Sequence, residues 1–218
     1  MAVASLTKMT VPLASDQSQS TQGLLMPKLK YRFRVTFDGF GTTNSASPTT
    51  ELTKQVMDMN RPTVSFEEIA IPIYNSTIKL AGKHSWNDVT CTLRDDASGQ
   101  ITRLVGEQLQ KQLDFAEQAS AAAGIDYKFT TTLQILDGGN GTSGPVVLEQ
   151  WELYGCYLKE VNYGDVNYGE SAPVTVAMTI TYDNAMQINS DSGQADGVGS
   201  AIGARPLGTV ATGAGTTV

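Results

Sequence analysis

The chain has 218 residues, enough for one sizeable domain with long arms and too few for two comfortable ones. Apolar residues make up 40% and charged residues 17%, so a packed core is possible beneath a lightly charged surface. The net charge of −7 has the wrong sign for a dedicated nucleic-acid clamp, and no apolar run is long enough for a membrane span.

Taken in chain order, residues 1–27 are rich in Ser, Thr, Gln and Ala and lack the basic, apolar and small-residue order of a secretory signal. A reduced, cytoplasmic setting is therefore expected, with Cys91 and Cys156 as small core residues. Two cysteines cannot by themselves form a disulfide framework or a four-ligand zinc site, although they could pair within or between chains. From residue 28 the periodicity turns to two. Leu29, Tyr31, Phe33, Val35 and Phe37 alternate with Lys28, Lys30, Arg32, Arg34 and Thr36, which reads as a strand with one buried and one basic face. Weaker strands are expected at 53–59, 63–71, 76–81 and 146–160. Clearer alternations run through Val89, Cys91 and Leu93, through Tyr127 to Ile135, and through Val174 to Tyr182.

One segment departs from this pattern. In 99–119, Ile101, Leu104, Val105, Leu109, Leu113, Phe115 and Ala116 recur at helical spacing. Ser98 or Asp96 could cap its start and Gly124 could end its Ala-rich tail. Gln108 and Gln112 fall within the apolar arc, so that face is imperfectly buried or meets a partner. Six to eight strands and one helix give a mainly β chain, a sandwich or barrel with a helix on its side. The domain expected is 28–184, between an arm at 1–27 and a Gly-rich arm at 185–218. Neither arm carries enough apolar surface to order itself, so neighbouring subunits are expected to hold them.

Candidates for chemistry are few. His84, in AGKHSWND, is expected in a turn before a strand, and its neighbours Ser85 and Asp88 make no convincing dyad. DGGNG at 137–141 lacks the ligand spacing of a calcium loop and reads as a hairpin tip. Asp95 and Asp96 stand where acids favour a helix start. No nucleophile elbow, phosphate loop or metal motif occurs, so no catalytic, cofactor or metal site is expected. The echo VNYGD and VNYGE at 161–170 reads as two consecutive tight turns, or as an inter-subunit loop presenting Tyr163 and Tyr168.

Charge placement says more. Residues 137–204 hold nine acids against Lys159 alone. Glu149, Glu160 and Asp165 are candidates for a bore lining or subunit contacts. The basic face of Lys28, Lys30, Arg32 and Arg34 is either a solvated strand face or a surface that meets an acidic neighbour. A phosphate-binding stripe is disfavoured, because no aromatic side chain shares that face.

At 71–96, IPIYNSTIKLAGKHSWNDVTCTLRDD, the sequence resembles the tail tube family of contractile-tailed, T4-like phages. The matching positions are Ala81, Gly82, Ser85, Trp86, Asp88, Thr90, Asp95 and Asp96. Further on, Trp151 to Leu153 with Gly155, then VNYGDVNYG, then VTVAMTITYDN repeat the family's closing segments. The resemblance spans Leu29 to Asn184. It implies a non-enzymatic subunit of the virion tail, assembled in the host cytoplasm. Its rings would be hexameric, and strands from six subunits would close one inner β-barrel. The implied partners are further copies of itself, the tail sheath, the baseplate and the tail terminator, with DNA transiting the bore without specific binding. The family pattern also has an Ala-Gly turn at Ala81–Gly82. The long arms depart from the family core, which leaves open the tube proper or its initiator at the baseplate; an inner tube of an injection system carrying protein is a separate alternative on the same architecture.

Overall fold

The computed structural model describes residues 28–41, 48–137, 144–188 and Val198. Period-two alternation builds most of it. Strands β1 (Phe33–Asp38), β5 (Val89–Arg94), β8 (Phe129–Leu136), β9 (Val147–Asn162) and β10 (Thr175–Thr181) each turn one set of alternate residues inward. With β2 (Val56–Met59) they form an antiparallel sheet in the order β1-β8-β9-β10-β5-β2, and β11 (Asn184–Ile188) also pairs with β9. β3 (Thr63–Ile73) and β4 (Ser76–Asn87) make a separate hairpin. The protein is mainly β, as the alternation requires.

The core lies on the inward face. Val35, Phe37, Cys91, Leu93, Leu153, Cys156, Met178 and Ile180 are each at most 2% exposed. Helix α2 (Gln100–Gln112) covers part of it with Ile101, Leu104 and Val105. Both cysteines are free thiols, and burial pushes their pKa values up, to about 12 for Cys91 and about 11 for Cys156.

Four expectations need correction. Residues 28–32 are not strand: Arg32 N–H donates to the Leu29 carbonyl at 3.2 Å, closing a turn. The pairing of β1 with β8 begins at Phe33 opposite Ile135, so earlier residues have almost no length of β8 left to pair with. Lys28, Lys30 and Arg32 therefore share no strand face with Arg34. Second, a helix, α1 (Pro48–Gln55), precedes β2 where a strand was expected from 53. It starts on Pro48, a residue that suits the first helical position, and Leu52 in it is fully buried. Third, α2 stops at Gln112. The Asp114 carboxylate accepts Ala116 N–H at 2.9 Å and competes with the helical backbone. The chain turns instead into β6 (Leu113–Asp114) and β7 (Ala119–Ser120). Fourth, Ala81–Gly82 is not a turn. Both lie within β4, where the register slips opposite Phe66–Glu68, and a Cβ on Gly82 would stand 3.0 Å from the Glu67 carbonyl oxygen. At the other end, β11 carries the sheet past residue 184, with Ala185 only 1% exposed.

The two glutamines in the apolar arc of α2 find partners in the chain itself. Gln108, fully buried, accepts Gly41 N–H at 3.0 Å and donates to the Tyr127 carbonyl at 2.6 Å. Gln112 accepts Leu158 N–H at 2.9 Å and donates to the Leu158 carbonyl at 2.8 Å. It thus pairs with β9 just beyond Cys156, where the partnership with β8 ends. Of the two caps considered, Asp96 accepts Gln100 N–H at 3.0 Å. β10 and β11 keep one register along β9 across Gly155, whose φ is +67°. A Cβ there would stand 2.2 Å from Asp183 Oδ2, so that carboxylate would have to move, and the positive φ favours glycine.

Gln108→Leu keeps the bulk but orphans a buried N–H and a carbonyl, and it should cost roughly 1–3 kcal/mol. Urea unfolding followed by circular dichroism measures this directly.

Candidate assembly surfaces

Among the described residues the hairpin exposes a run of apolar side chains. Ile69, Ile71 and Ile73 on β3 pair with Leu80, Ile78 and Ser76 on β4, and a two-residue turn at Tyr74–Asn75 joins them. Period two puts these side chains on one face, and β-branched residues favour the extended backbone. In a folded core that face would be covered. Here Ile69, Ile71, Ile73, Ile78 and Leu80 are 41–49% exposed. The opposite face carries the Glu68–Lys79 ion pair at 3.0 Å. A ladder of rings, Phe66, His84, Trp86 and Tyr182, roots the hairpin in the core with centroids 5.8–6.4 Å apart. His84 is an exposed residue within this ladder on β4, not in a turn.

The sheet supplies the second surface. β1 and β2 stand at its two ends, and among the described residues each has one strand neighbour. A cleft of about 840 Å³ lies between them. Leu29, Phe33, Met57, Met59, Leu133 and Ile135 line it, with Lys28, Lys30 and Arg61 alongside. A second cleft of about 510 Å³ adjoins Met57 and the 164–175 loop. That loop uses the repeated Asn-x-Gly twice: Asn162 Oδ1 accepts Gly164 N–H at 2.8 Å, and Asn167 Oδ1 accepts Gly169 N–H at 2.9 Å. Both copies thus make the same Asn side-chain bond, but only the second closes a backbone turn, at 168–169, and Val166 and Tyr168 are almost wholly exposed.

The charged residues singled out from sequence are scattered. Glu149 lies on the core face of β9, 4% exposed at its side chain. Lys28 Nζ lies 2.5 Å from its Oε2, Arg61 pairs with its Oε1, and Trp151 Nε1–H donates to the same oxygen at 2.6 Å. Burial alone would raise the Glu149 carboxyl, but the Lys28 and Trp151 hydrogen bonds and the Arg61 charge outweigh it and lower the pKa. Arg32 donates to the Asp137 carbonyl. Arg34, on the outer face of β1, donates twice to Gln134 Oε1 at 2.8 and 2.6 Å. From there a polar chain crosses the sheet. Gln134 donates to Gln150 at 2.6 Å, Gln150 donates to Glu152 at 2.9 Å, and Tyr154 OH also donates to Glu152. Lys30, Glu160 and Asp165 are exposed. The tip of the 137–145 loop, the whole 1–27 arm and most of 185–218 lie outside the described residues, although Gln187 N–H reaches the Val198 carbonyl at 2.8 Å.

Sequence reasoning missed the hairpin's apolar face and the role of Arg61. The first had a signal: Ile-x-Ile-x-Ile and Ile-x-Leu mirrored about Tyr74–Asn75. Among the described residues no group of three or more His, Cys, Asp or Glu could hold a metal ion, and no helix is long and apolar enough to cross a membrane.

No protein-family model matches this sequence, and no curated protein does. Solved structures do match. A chain of the anti-feeding prophage baseplate, 14% identical, superposes with a TM-score of 0.54 over 77% of this chain and 99% of its own. A chain from the sheath/tube terminator of a PVC extracellular contractile injection system, in the extended state, is 12% identical with a TM-score of 0.54, over 77% and 100%. A chain from the anti-feeding prophage tube-terminating cap is 11% identical with a TM-score of 0.52, over 78% and 97%. What is shared is the fold.

The lowered Glu149 pKa has a consequence for stability. Its contribution is present above the unfolded carboxylate value, about 4.3, and is lost as pH falls through the lower folded value. The unfolding free energy of the parent minus that of Glu149→Gln should therefore be constant near neutrality and shrink below about pH 4. Paired urea titrations from pH 7 to pH 3 test this, and the subtraction removes the other carboxylates.

Proposed function

We propose that this chain is a structural subunit of the tube in a contractile tail. It assembles as hexameric rings that stack into a conduit for genome ejection, and it has no active site. The observation that carries this reading is the hairpin. Two strands alone are marginal in water, and these two expose a continuous apolar face. An exposed apolar face of this kind marks an interaction surface. The fold shared with components of contractile injection systems supports the same reading.

The proposed partners are further copies of the chain first, then sheath, baseplate and terminator. Lateral pairing would use the free edges of β1 and β2, which closes the sheet and removes the edges together. Six chains at −7 each give −42 per ring, a charge that repels phosphate and lets DNA pass without adhering. Glu160 and Asp165 are the acids proposed for the bore or a subunit contact. Glu149 is occupied by cations of its own chain. Lys30 and Arg34 are the basic residues proposed to face a neighbour. The setting is a virion tail assembled in the host cytoplasm. A second reading keeps the architecture and changes its place or cargo: a baseplate-proximal initiator, or the inner tube of an injection system carrying protein. The likeness to baseplate, terminator and cap chains favours it.

The double variant Ile71→Asp/Ile78→Asp tests the reading. Ile71 and Ile78 are cross-strand partners, so the two Asp lose β propensity and repel each other at a cost of about 1 kcal/mol for each effect, which urea unfolding of the variant checks. Sedimentation velocity should show large assemblies for the parent and monomer for the variant. Equal assembly by both would remove the hairpin from the account. If they face the bore, Glu160→Lys/Asp165→Lys should leave assembly intact and slow DNA passage, and unchanged passage would take these acids out of the bore.

A further inference from the structure

Both edges of the hairpin are poor templates for a further strand. Pro72 stands within β3 and offers no N–H, and β4 carries two residues, Gly82 and Lys83, where β3 carries Glu67 alone. Prolines and bulges are devices that keep an edge from pairing, so this hairpin is suited to dock by a face. Period two sets Phe66, Glu68 and Ala70 on one side of β3 and Glu67, Ile69, Ile71 and Ile73 on the other. A Cβ built on Gly82 would lie 3.3 Å from Glu67 Cβ and 3.2 Å from Ile69 Cγ1, so the acid and the isoleucines share a side. The ring ladder to Tyr182 runs through Phe66, on the first side. The isoleucine side is therefore turned away from the side by which the hairpin is rooted, and Glu67 on it has no ion pair among the described residues.

We infer that this side seats in the cleft between β1 and β2 of a second copy of the chain, with Glu67 of one copy against Lys30 of the other. The cleft, about 840 Å³, has the complementary pattern: an apolar floor that includes Phe33, Met57, Leu133 and Ile135, beneath a rim of Lys28, Lys30 and Arg61. Glu149 occupies Lys28 and Arg61, whereas Lys30 has no ion pair among the described residues. Asp58, also on the lining, accepts Thr92 N–H at 3.2 Å. The cleft thus offers one uncommitted cation beside an apolar trough, and the hairpin offers one uncommitted acid beside an apolar ridge. The giving and receiving surfaces differ, so the contact is head-to-tail and each copy makes it twice, which extends into a ring or a stack. Contact through side chains leaves the backbone edges of β1 and β2 for lateral pairing. The inference rests on the self-assembly reading and adds to it which two surfaces meet.

The test uses full-length chains carrying one added cysteine; the two native thiols are buried. Ile69→Cys, Ile71→Cys and Ile73→Cys are each mixed, under mild oxidation, with Met57→Cys on a differently tagged chain. At least one of the three should form a disulfide with Met57→Cys, and Thr77→Cys, on the other side of the hairpin, should form none. Glu67 and Lys30 are exposed in the free chain, so their variants keep the fold. Glu67→Lys or Lys30→Glu alone should raise the concentration at which assemblies appear in sedimentation velocity by about two- to fivefold, the range of an exposed ion pair. The exchange Glu67→Lys/Lys30→Glu should return it to the parent's value, which a merely structural role of either residue would not do. Disulfides that form only between two hairpins would overturn the inference. Assembly of the parent with no link to Met57→Cys, or with no rescue by the exchange, would overturn it and leave the tube reading standing. A parent that stays monomeric at every concentration would remove both.

Discussion

Among the described residues neither end of the main sheet is closed. β1 and β2 each have one strand partner among the described residues, and a cleft separates them. Unpaired edges invite addition of another strand, and proteins that remain monomeric normally blunt them. Among the described residues side chains span the gap, Lys28 and Arg61 meeting on Glu149. The rest of the molecule is arranged around that opening. α2 packs on the core and lends Gln112 to β9 where β8 ends, while the hairpin leaves directly from β2.

The hairpin carries the same constraint outward. Its apolar face would collapse onto the core if the chain could fold it back, but only residues 60–62 separate β2 from β3. The ring ladder ending at Tyr182 fixes its base, and among the described residues nothing covers Ile69, Ile71, Ile73, Ile78 and Leu80. An open sheet and an uncovered hairpin are both needs that further copies of the same chain can meet. A ring closes edges, and a stack covers projections.

Much of the fold was legible because strands with one buried face alternate strictly. β5, β8 and β10 lie where alternation put them. The same signal failed at 28–32, because alternation records which side chains suit a sheet and not whether a partner strand is there. α1 was missed for the opposite reason: an eight-residue helix leaves little periodicity to read. The overrun of α2 came from counting apolar spacing and ignoring Asp114, whose carboxylate captures backbone N–H groups. Glu149 was read from charge clustering as a surface acid. Its spacing from Trp151 and Leu153 placed it on their inward face, so the sequence did contain the correction. Arg61 had no such signal, since its partner lies 88 residues away.

The central claim is that this chain is incomplete alone and is completed by its own copies. Electron microscopy of the purified full-length protein across a concentration series tests it most directly. The account predicts sixfold rings or hollow stacked tubes that appear with rising concentration, with the Ile69–Leu80 face covered by a neighbouring subunit. A monomer that persists at every concentration, or rings that leave the hairpin face in solvent, would contradict it.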